Sequence, residues 1–154
     1  MKNSELFELF NTITAPDFKY KGAEFNYIIA KNVAKLKPEL EALQKGLEAT
    51  EEYKEYDSKR IEILRKYAVK GENGEPVIEN GSFKLTDRTT ALKEIEELQN
   101  ENKEVLDARK KQEEEYQELL NKKSTIEIHQ LKKSDLPEDM ETPVMIKLFK
   151  LIIE

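Results

Sequence analysis

The chain contains no cysteine and no tryptophan among its 154 residues, and only five glycines and five prolines. Without cysteine it has no disulfide, no thiolate nucleophile and no cysteine-ligated metal, which is compatible with a reducing compartment. It has no run of the ~18 apolar residues that a membrane-spanning helix needs, and residues 1–7 lack the apolar run of a signal peptide. We therefore expect a soluble intracellular protein that uses no membrane.

The sequence also lacks the short motifs that mark common catalytic sites. It contains no GxxxxGKS/T, GxGxxG, GxSxG or HExxH, so nothing supports a phosphate loop, a nucleophile elbow or a zinc helix. The single histidine, His129, has no second ligand at a metal-binding spacing. The acidic run 113–115 cannot converge on one substrate atom, because consecutive helical residues point in different directions. We predict no enzyme activity, no cofactor and no metal site. An enzyme with carboxylates at a subunit interface is the option left open.

Charged residues make up 38% of the chain, as large a share as the hydrophobic residues. The 26 basic and 32 acidic residues are mixed along the sequence with a net charge of −6, which argues against nucleic acid as a partner. This composition does not suit a thick globular core. A single elongated helical domain over 1–154 fits better, because a helical rod needs only a narrow apolar seam.

The strongest local signal is the dipeptide Asn80-Gly81, which lies between two short alternating segments. A two-residue Asn-Gly loop favours a type I′ turn, in which both central residues have positive φ. The sequence therefore predicts a β-hairpin over 76–85, at which the chain reverses. Charged helical patterns lie on both sides, so we predict a mainly α fold. Its main part is a long antiparallel two-helix coiled-coil hairpin over 24–123, with the β-hairpin at its turn.

The apolar positions of the two predicted helices follow a heptad spacing. The first helix runs from about residue 23 to 68, and the second starts after an N-cap at Thr86 or Asp87 and reaches about residue 123. Pro38 either kinks the first helix or marks its true start. The predicted coiled-coil seam consists of Ile29, Val33, Leu36, Leu40, Leu43, Leu47, Ile61, Leu64, Ile95, Leu98, Val105, Tyr116 and Leu119.

The two ends of the chain, 1–23 and 124–154, are predicted to form a small α+β cluster at the open end of the helix pair. The apolar C-terminal segment either packs into a core or forms a surface for a partner or a second copy. The predicted elements are a helix over 4–13 capped by Ser4, strands over 18–22 and 125–131, and the apolar segment over 144–154. The candidate partner surface consists of Phe7, Phe10, Leu148, Phe149 and Ile152, and a second subunit could face Tyr53 and Tyr56.

The order helix, β-hairpin, helix over 24–123 resembles prefoldin subunits, whose hairpins join into an oligomeric body while the paired helices project as tentacles. The resemblance implies a prefoldin-like layout and a homo-oligomer. The chain departs from prefoldin at the open end, where prefoldin helices finish in free tips and this sequence predicts structured termini. Association is also expected physically, because a two-helix hairpin buries little area alone.

Several segments of the sequence together carry a second resemblance. They are FNY at 25–27 with AKN at 30–32, YDSKRIEILRKYA at 56–68, ENGEPVIE at 72–79 and IEIHQLKKSDL at 126–136. These segments resemble small uncharacterised proteins encoded by tailed bacteriophages. The resemblance implies a viral origin and a context of phage assembly or host takeover, in the host cell cytoplasm or within the virion.

We therefore expect a non-enzymatic structural or chaperone-like assembly factor that contacts a phage structural protein or a host protein. The alternative is an inhibitor or sequestering protein directed against a host factor, such as an antiviral defence system.

Overall fold

The computed structural model describes residues 1–153, so Glu154, the last residue of the predicted apolar segment, lies outside the described residues. These residues form a mainly helical protein with two small two-stranded sheets, which confirms the predicted mainly α class. The helices are α1 (Asn3–Ile13), α2 (Ala23–Lys45), α3 (Glu51–Lys66), α4 (Arg88–Glu101), α5 (Lys103–Asn121) and α6 (Thr142–Leu148). The strands are β1 (Ile78–Glu79), β2 (Ser82–Phe83), β3 (Leu131–Lys132) and β4 (Ile152–Ile153).

The chain divides into two compact units. The first unit contains residues 1–47 and the chain from residue 114 onward, and the second contains residues 48–113. Both ends of the chain belong to the first unit, and α2 belongs to that unit as well. The unit extends beyond residues 1–23 and 124–154, because apolar residues of α2 pack with those of the two ends.

The first unit holds an apolar core formed by α1, α2, α6 and the segment around β3. The fully buried members include Leu6 from α1, Phe25 and Leu36 from α2, and Leu131 from β3. Burial of apolar side chains of this size stabilises the folded state by roughly 1.5–3 kcal/mol each. The buried cluster is Leu6, Leu9, Ile13, Phe25, Ile29, Leu36, Leu40, Leu131, Met140, Leu148 and Leu151.

The extended segment 125–130 is held by a side chain rather than by a neighbouring strand. Asn32 is fully buried in α2; its Nδ2 donates to the carbonyl of His129 at 2.9 Å, and its Oδ1 accepts from the N–H of His129 at 2.8 Å. The predicted strand over 125–131 was therefore too long. Strand structure begins only at Leu131, where β3 pairs in parallel with β4.

Two other local predictions near the N-terminus were wrong. Ser4 lies within α1 rather than at its N-cap, because the carboxylate of Glu5 accepts from the N–H of Lys2 at 2.7 Å and the helix begins one residue earlier. The segment 18–22 forms no strand. Its alternating aromatic residues pack inward instead, with the rings of Phe18 and Phe25 6.0 Å apart.

The second unit contains the predicted hairpin. Asn80 and Gly81 have φ values of 51° and 76°, and β1 pairs antiparallel with β2 across them. The hairpin lies between α3 and α4 in the chain. Hydrogen bonds also link the end of α3 to α4, because Glu94 accepts from Lys66 Nζ at 2.8 Å and from the Tyr67 hydroxyl. These two hydrogen bonds lower the pKa of the Glu94 carboxyl. The predicted chain reversal at Asn80-Gly81 is confirmed.

The first predicted long helix is two helices. α2 ends at Lys45 and α3 begins at Glu51, so residues 46–50 interrupt the pattern that was predicted to continue to residue 68. Gly46 is a poor helix former, and the hydroxyl of Thr50 caps α3 by accepting from the N–H of Tyr53 at 3.3 Å. Pro38 lies inside α2, so it is not the start of that helix.

The second predicted long helix is also interrupted, at Asn102. Of the two predicted caps, Thr86 and Asp87, it is Asp87 that caps α4, because its carboxylate accepts from the N–H of Thr90 at 3.0 Å and α4 begins at Arg88. The Asn102 side chain donates to the Leu98 carbonyl at 2.8 Å, where it competes with the helix backbone, and α5 begins at the next residue. Each predicted long helix is therefore two shorter helices, and a long two-helix coiled coil is not confirmed.

Candidate protein-interaction surface

The C-terminal segment of the first unit is apolar on two opposite sides. Leu148 and Leu151 are fully buried, which places the segment in the core. Ile146 and Phe149, by contrast, are 69% and 75% exposed. Only one side of a short helix can face its own core. When the opposite side is apolar as well, covering it with a second apolar surface removes it from water, which is favourable. We call the exposed side the outer apolar face; it consists of Met145, Ile146, Phe149 and Ile153.

The predicted partner surface is mostly core. Leu148 is fully buried, so it was wrongly predicted to lie on a surface. Phe7, Phe10 and Ile152 are half-buried and pack against the core cluster, while Phe149 lies on the outer apolar face. The core interpretation of the C-terminal segment is confirmed for its inner side. A helical period applied to residues 145–151 separates the two sides, since 148 and 151 fall together and 145, 146 and 149 fall on the other side.

The thirteen predicted seam residues are all at least partly buried, although they do not belong to one continuous helix pair. Three are buried in the core of the first unit, namely Ile29, Leu36 and Leu40. The other ten are half-buried: Val33, Leu43, Leu47, Ile61, Leu64, Ile95, Leu98, Val105, Tyr116 and Leu119. The heptad spacing thus selected inward-facing residues without establishing what each one packs against.

Tyr56 is buried within the second unit, with 4% of its surface exposed, and its ring lies 5.9 Å from that of Tyr53. Tyr53 in turn lies under the guanidinium of Arg109, 5.2 Å from the ring centre. Tyr56 was therefore wrongly predicted to face a second subunit.

A groove runs between α1 and α6 in the first unit. It has a volume of about 800 Å³, and its lining includes residues of α1 between Glu5 and Thr12 and residues of α6 between Val144 and Lys147. Leu9, Phe18, Val144 and Ile146 provide its apolar lining. We call this feature the α1–α6 groove. Sequence reasoning missed it, because it exists only where the C-terminal segment packs against α1.

Charged residues surround the groove. Lys150 contacts Glu5 across it, and this hydrogen bond, with a second from the N–H of Lys2, lowers the pKa of the Glu5 carboxyl. The α-amino group of the chain also lies close enough to contribute to that lowering. Glu8, Asp17 and Glu141 line the remainder of the groove, together with Lys147.

No arrangement of residues in the described chain resembles a metal centre. Within residues 1–153, no three His, Cys, Asp or Glu side chains are grouped closely enough to bind an ion. The backbone of His129 is held by Asn32, and Glu113 accepts from Arg109 at 2.9 Å. No helix in the same residues combines the length and apolar character that crossing a membrane requires.

Comparison of the chain with models of protein families, with curated proteins and with solved structures finds no match.

Proposed function

We propose that this chain is a non-enzymatic bacteriophage protein that acts through protein–protein contacts, as a structural or chaperone-like factor in virion assembly. The observation that carries the proposal is the outer apolar face. Ile146 and Phe149 are large, mostly exposed side chains on a segment whose other side is already satisfied by the core. Such a face on a charged protein is suited to binding exposed apolar surface on another protein.

The proposal includes a homo-oligomer with a prefoldin-like layout, in which an antiparallel helical hairpin extends from the β-hairpin. Its support is the reversal at Asn80-Gly81 and the half-buried seam residues on the helices at either side. A partner would be a phage structural protein or a host protein, met in the host cytoplasm. Light scattering of the purified protein tests the oligomer, and a strict monomer at micromolar concentration would contradict it.

Suppression of aggregation tests the chaperone-like role. A chemically denatured test protein is diluted into buffer with the parent chain, and light scattering is followed over time. We expect the parent to reduce scattering and Phe149→Glu to lose most of that effect, because a charge on the outer apolar face disfavours apolar contact. Tyr27→Glu is the matched control, since Tyr27 is a 57% exposed aromatic residue elsewhere in the same unit.

Two results would contradict this role. One is a parent chain without effect on aggregation, and the other is equal loss of effect in Phe149→Glu and Tyr27→Glu. The virion part of the proposal is tested separately by mass spectrometry of purified particles. A structural component must be found in those particles, whereas an inhibitor of a host factor need not be.

A further inference from the structure

The α1–α6 groove has the form of a site for a helix. Its α1 wall runs the length of an 11-residue helix, which is ~16 Å or about three turns. The second wall runs from Glu141, the N-cap of α6, to Lys150 in the turn after α6, and it includes Val144 and Lys147. An amphipathic helix laid in such a trough buries one apolar side and leaves its other side in solvent.

The groove has an apolar interior that a partner can cover. Phe18 and Val144 are half-buried, and Ile146 is 69% exposed at its edge. The volume of about 800 Å³ is close to the upper end of pockets that bind drug-sized molecules. Its lining, however, comes from two helices, and a trough between helices suits the side of a third helix.

The charges in the groove are unevenly distributed. Glu5 contacts Lys150, so these two charges offset one another, and the α-amino group adds one positive charge beside them. Among residues 1–153, Glu8, Asp17 and Glu141 have no salt bridge, and Lys147 is the one other cation of the lining. The part of the groove beyond Glu5 therefore has an excess of negative charge.

We propose that the α1–α6 groove binds an amphipathic helix of a partner protein. The apolar side of the helix would lie on Leu9, Phe18, Val144 and Ile146, and its basic side chains would lie against Glu8, Asp17 and Glu141. Charge complementarity selects a basic helix over an acidic one, because an acidic helix would place like charges opposite those three carboxylates. The inference rests on the proposed function, since it names the class of partner that the first unit would bind.

Fluorescence anisotropy with labelled peptides of about 12 residues, the length that spans the groove, tests the proposal. The probes are a leucine–lysine peptide with helical periodicity, its leucine–glutamate counterpart, and a scrambled leucine–lysine peptide of the same composition. We expect the periodic basic peptide to bind about fivefold or more tightly than either of the other two. Equal binding of the basic periodic and scrambled peptides, or tighter binding of the acidic peptide, would overturn the proposal.

Variants locate the binding. Glu8→Lys should weaken binding of the periodic basic peptide by about fivefold, because it replaces an attraction by a repulsion inside the groove. Glu118→Lys makes the same charge change at an exposed position of α5 outside the groove and should leave binding unchanged. Ala15→Phe fills the groove and should reduce binding without a charge change. Equal losses in the two lysine variants would mean general attraction to an acidic protein and would overturn the proposal, as would undiminished binding by Ala15→Phe.

The same variants separate this inference from the proposed function. Glu8→Lys and Ala15→Phe leave Phe149 in place, so a chain that fails to bind the peptide but still suppresses aggregation would overturn the groove assignment alone. A chain that binds the peptide in the groove and does not suppress aggregation would overturn the chaperone-like role alone. Thermal unfolding followed by circular dichroism checks that each variant is folded.

Discussion

The side chain of Asn32 and the backbone of His129 form a reciprocal pair of hydrogen bonds, 2.9 Å from Asn32 Nδ2 to the His129 carbonyl and 2.8 Å from the His129 N–H to Asn32 Oδ1. One amide thereby satisfies both backbone groups of a residue that is 97 positions away in the sequence. A buried backbone donor or acceptor without a partner lowers the stability of the fold. The Asn32 side chain therefore makes the hydrogen bonds that a neighbouring strand would otherwise provide.

Replacing Asn32 by leucine is expected to lower the free energy of unfolding by about 3 kcal/mol, because both His129 groups lose their partner. Urea unfolding followed by circular dichroism measures this. Asn26→Leu is the control on the same helix. Asn26 is exposed and donates one hydrogen bond, to the Tyr20 carbonyl at 3.1 Å, so its loss should cost less than about 1 kcal/mol. If both substitutions lowered the free energy of unfolding equally, the two hydrogen bonds of Asn32 would contribute no more to stability than the single hydrogen bond of Asn26.

The turn at Gly81 gives a second prediction. Gly81→Ala should destabilise the second unit by about 1 kcal/mol, because an L-residue with a side chain disfavours φ near 76°. The added methyl group has room, since nothing lies within 4 Å of it, so the cost comes from the backbone conformation alone. Amide hydrogen exchange of β1 and β2 reports the local loss. Ser82→Ala, one residue on, should change exchange little, and a comparable change there would argue against the turn as the cause.

The cap at Asp87 should make stability depend on pH in a defined direction. Hydrogen bonds from the Thr90 hydroxyl and the Thr90 N–H lower the pKa of the Asp87 carboxyl below its ordinary value of 3.8. A carboxyl with a lowered folded pKa stabilises the fold above its unfolded pKa, and this contribution disappears as pH falls through the folded pKa. The stability difference between the parent and Asp87→Asn should therefore stay constant above about pH 5 and shrink below the ordinary value of 3.8. Urea unfolding at a series of pH values measures it, and a difference that grows on acidification would contradict the prediction.

Two predicted seam leucines should respond differently to truncation. Leu36 is fully buried in the first unit, so Leu36→Ala should cost about 3 kcal/mol through lost burial and the cavity left behind. Leu98 is half-buried in the second unit, and Leu98→Ala should cost about 1 kcal/mol. Urea unfolding of both variants provides the comparison. A larger loss for Leu98→Ala would mean that its surface is covered by a contact beyond its own unit, as in an oligomer.

Local signals in the sequence were sufficient wherever short-range chemistry decides the structure. The Asn80-Gly81 turn was predictable because positive φ at both positions suits those two residue types. The Asp87 cap was predictable for a similar reason, since its carboxylate reaches an N–H only three positions away. The break at residues 46–50 also had local signals, Gly46 and Thr50. The prediction of one helix from about residue 23 to 68 follows the heptad spacing instead, because that spacing continues in phase across residues 46–50.

Non-local features could not be read in the same way. The alternation over 125–131 predicted a strand, yet a strand needs a neighbour, and a side chain of α2 takes that place for most of the segment. The apolar C-terminal segment left a core and a partner surface as alternatives. Its packing against α1 decided that Leu148 and Leu151 lie inside while Ile146 and Phe149 lie outside.

The sequence by itself determined the mainly helical class, the chain reversal and the set of inward-facing apolar residues, because each follows from propensity, turn chemistry or periodicity over a few residues. The tertiary structure alone decided how those residues are divided between two units, which side of the C-terminal segment stays exposed, and where the α1–α6 groove lies. These depend on contacts between α1, α2 and α6, which are far apart in the chain, and periodicity carries no information about which apolar faces meet.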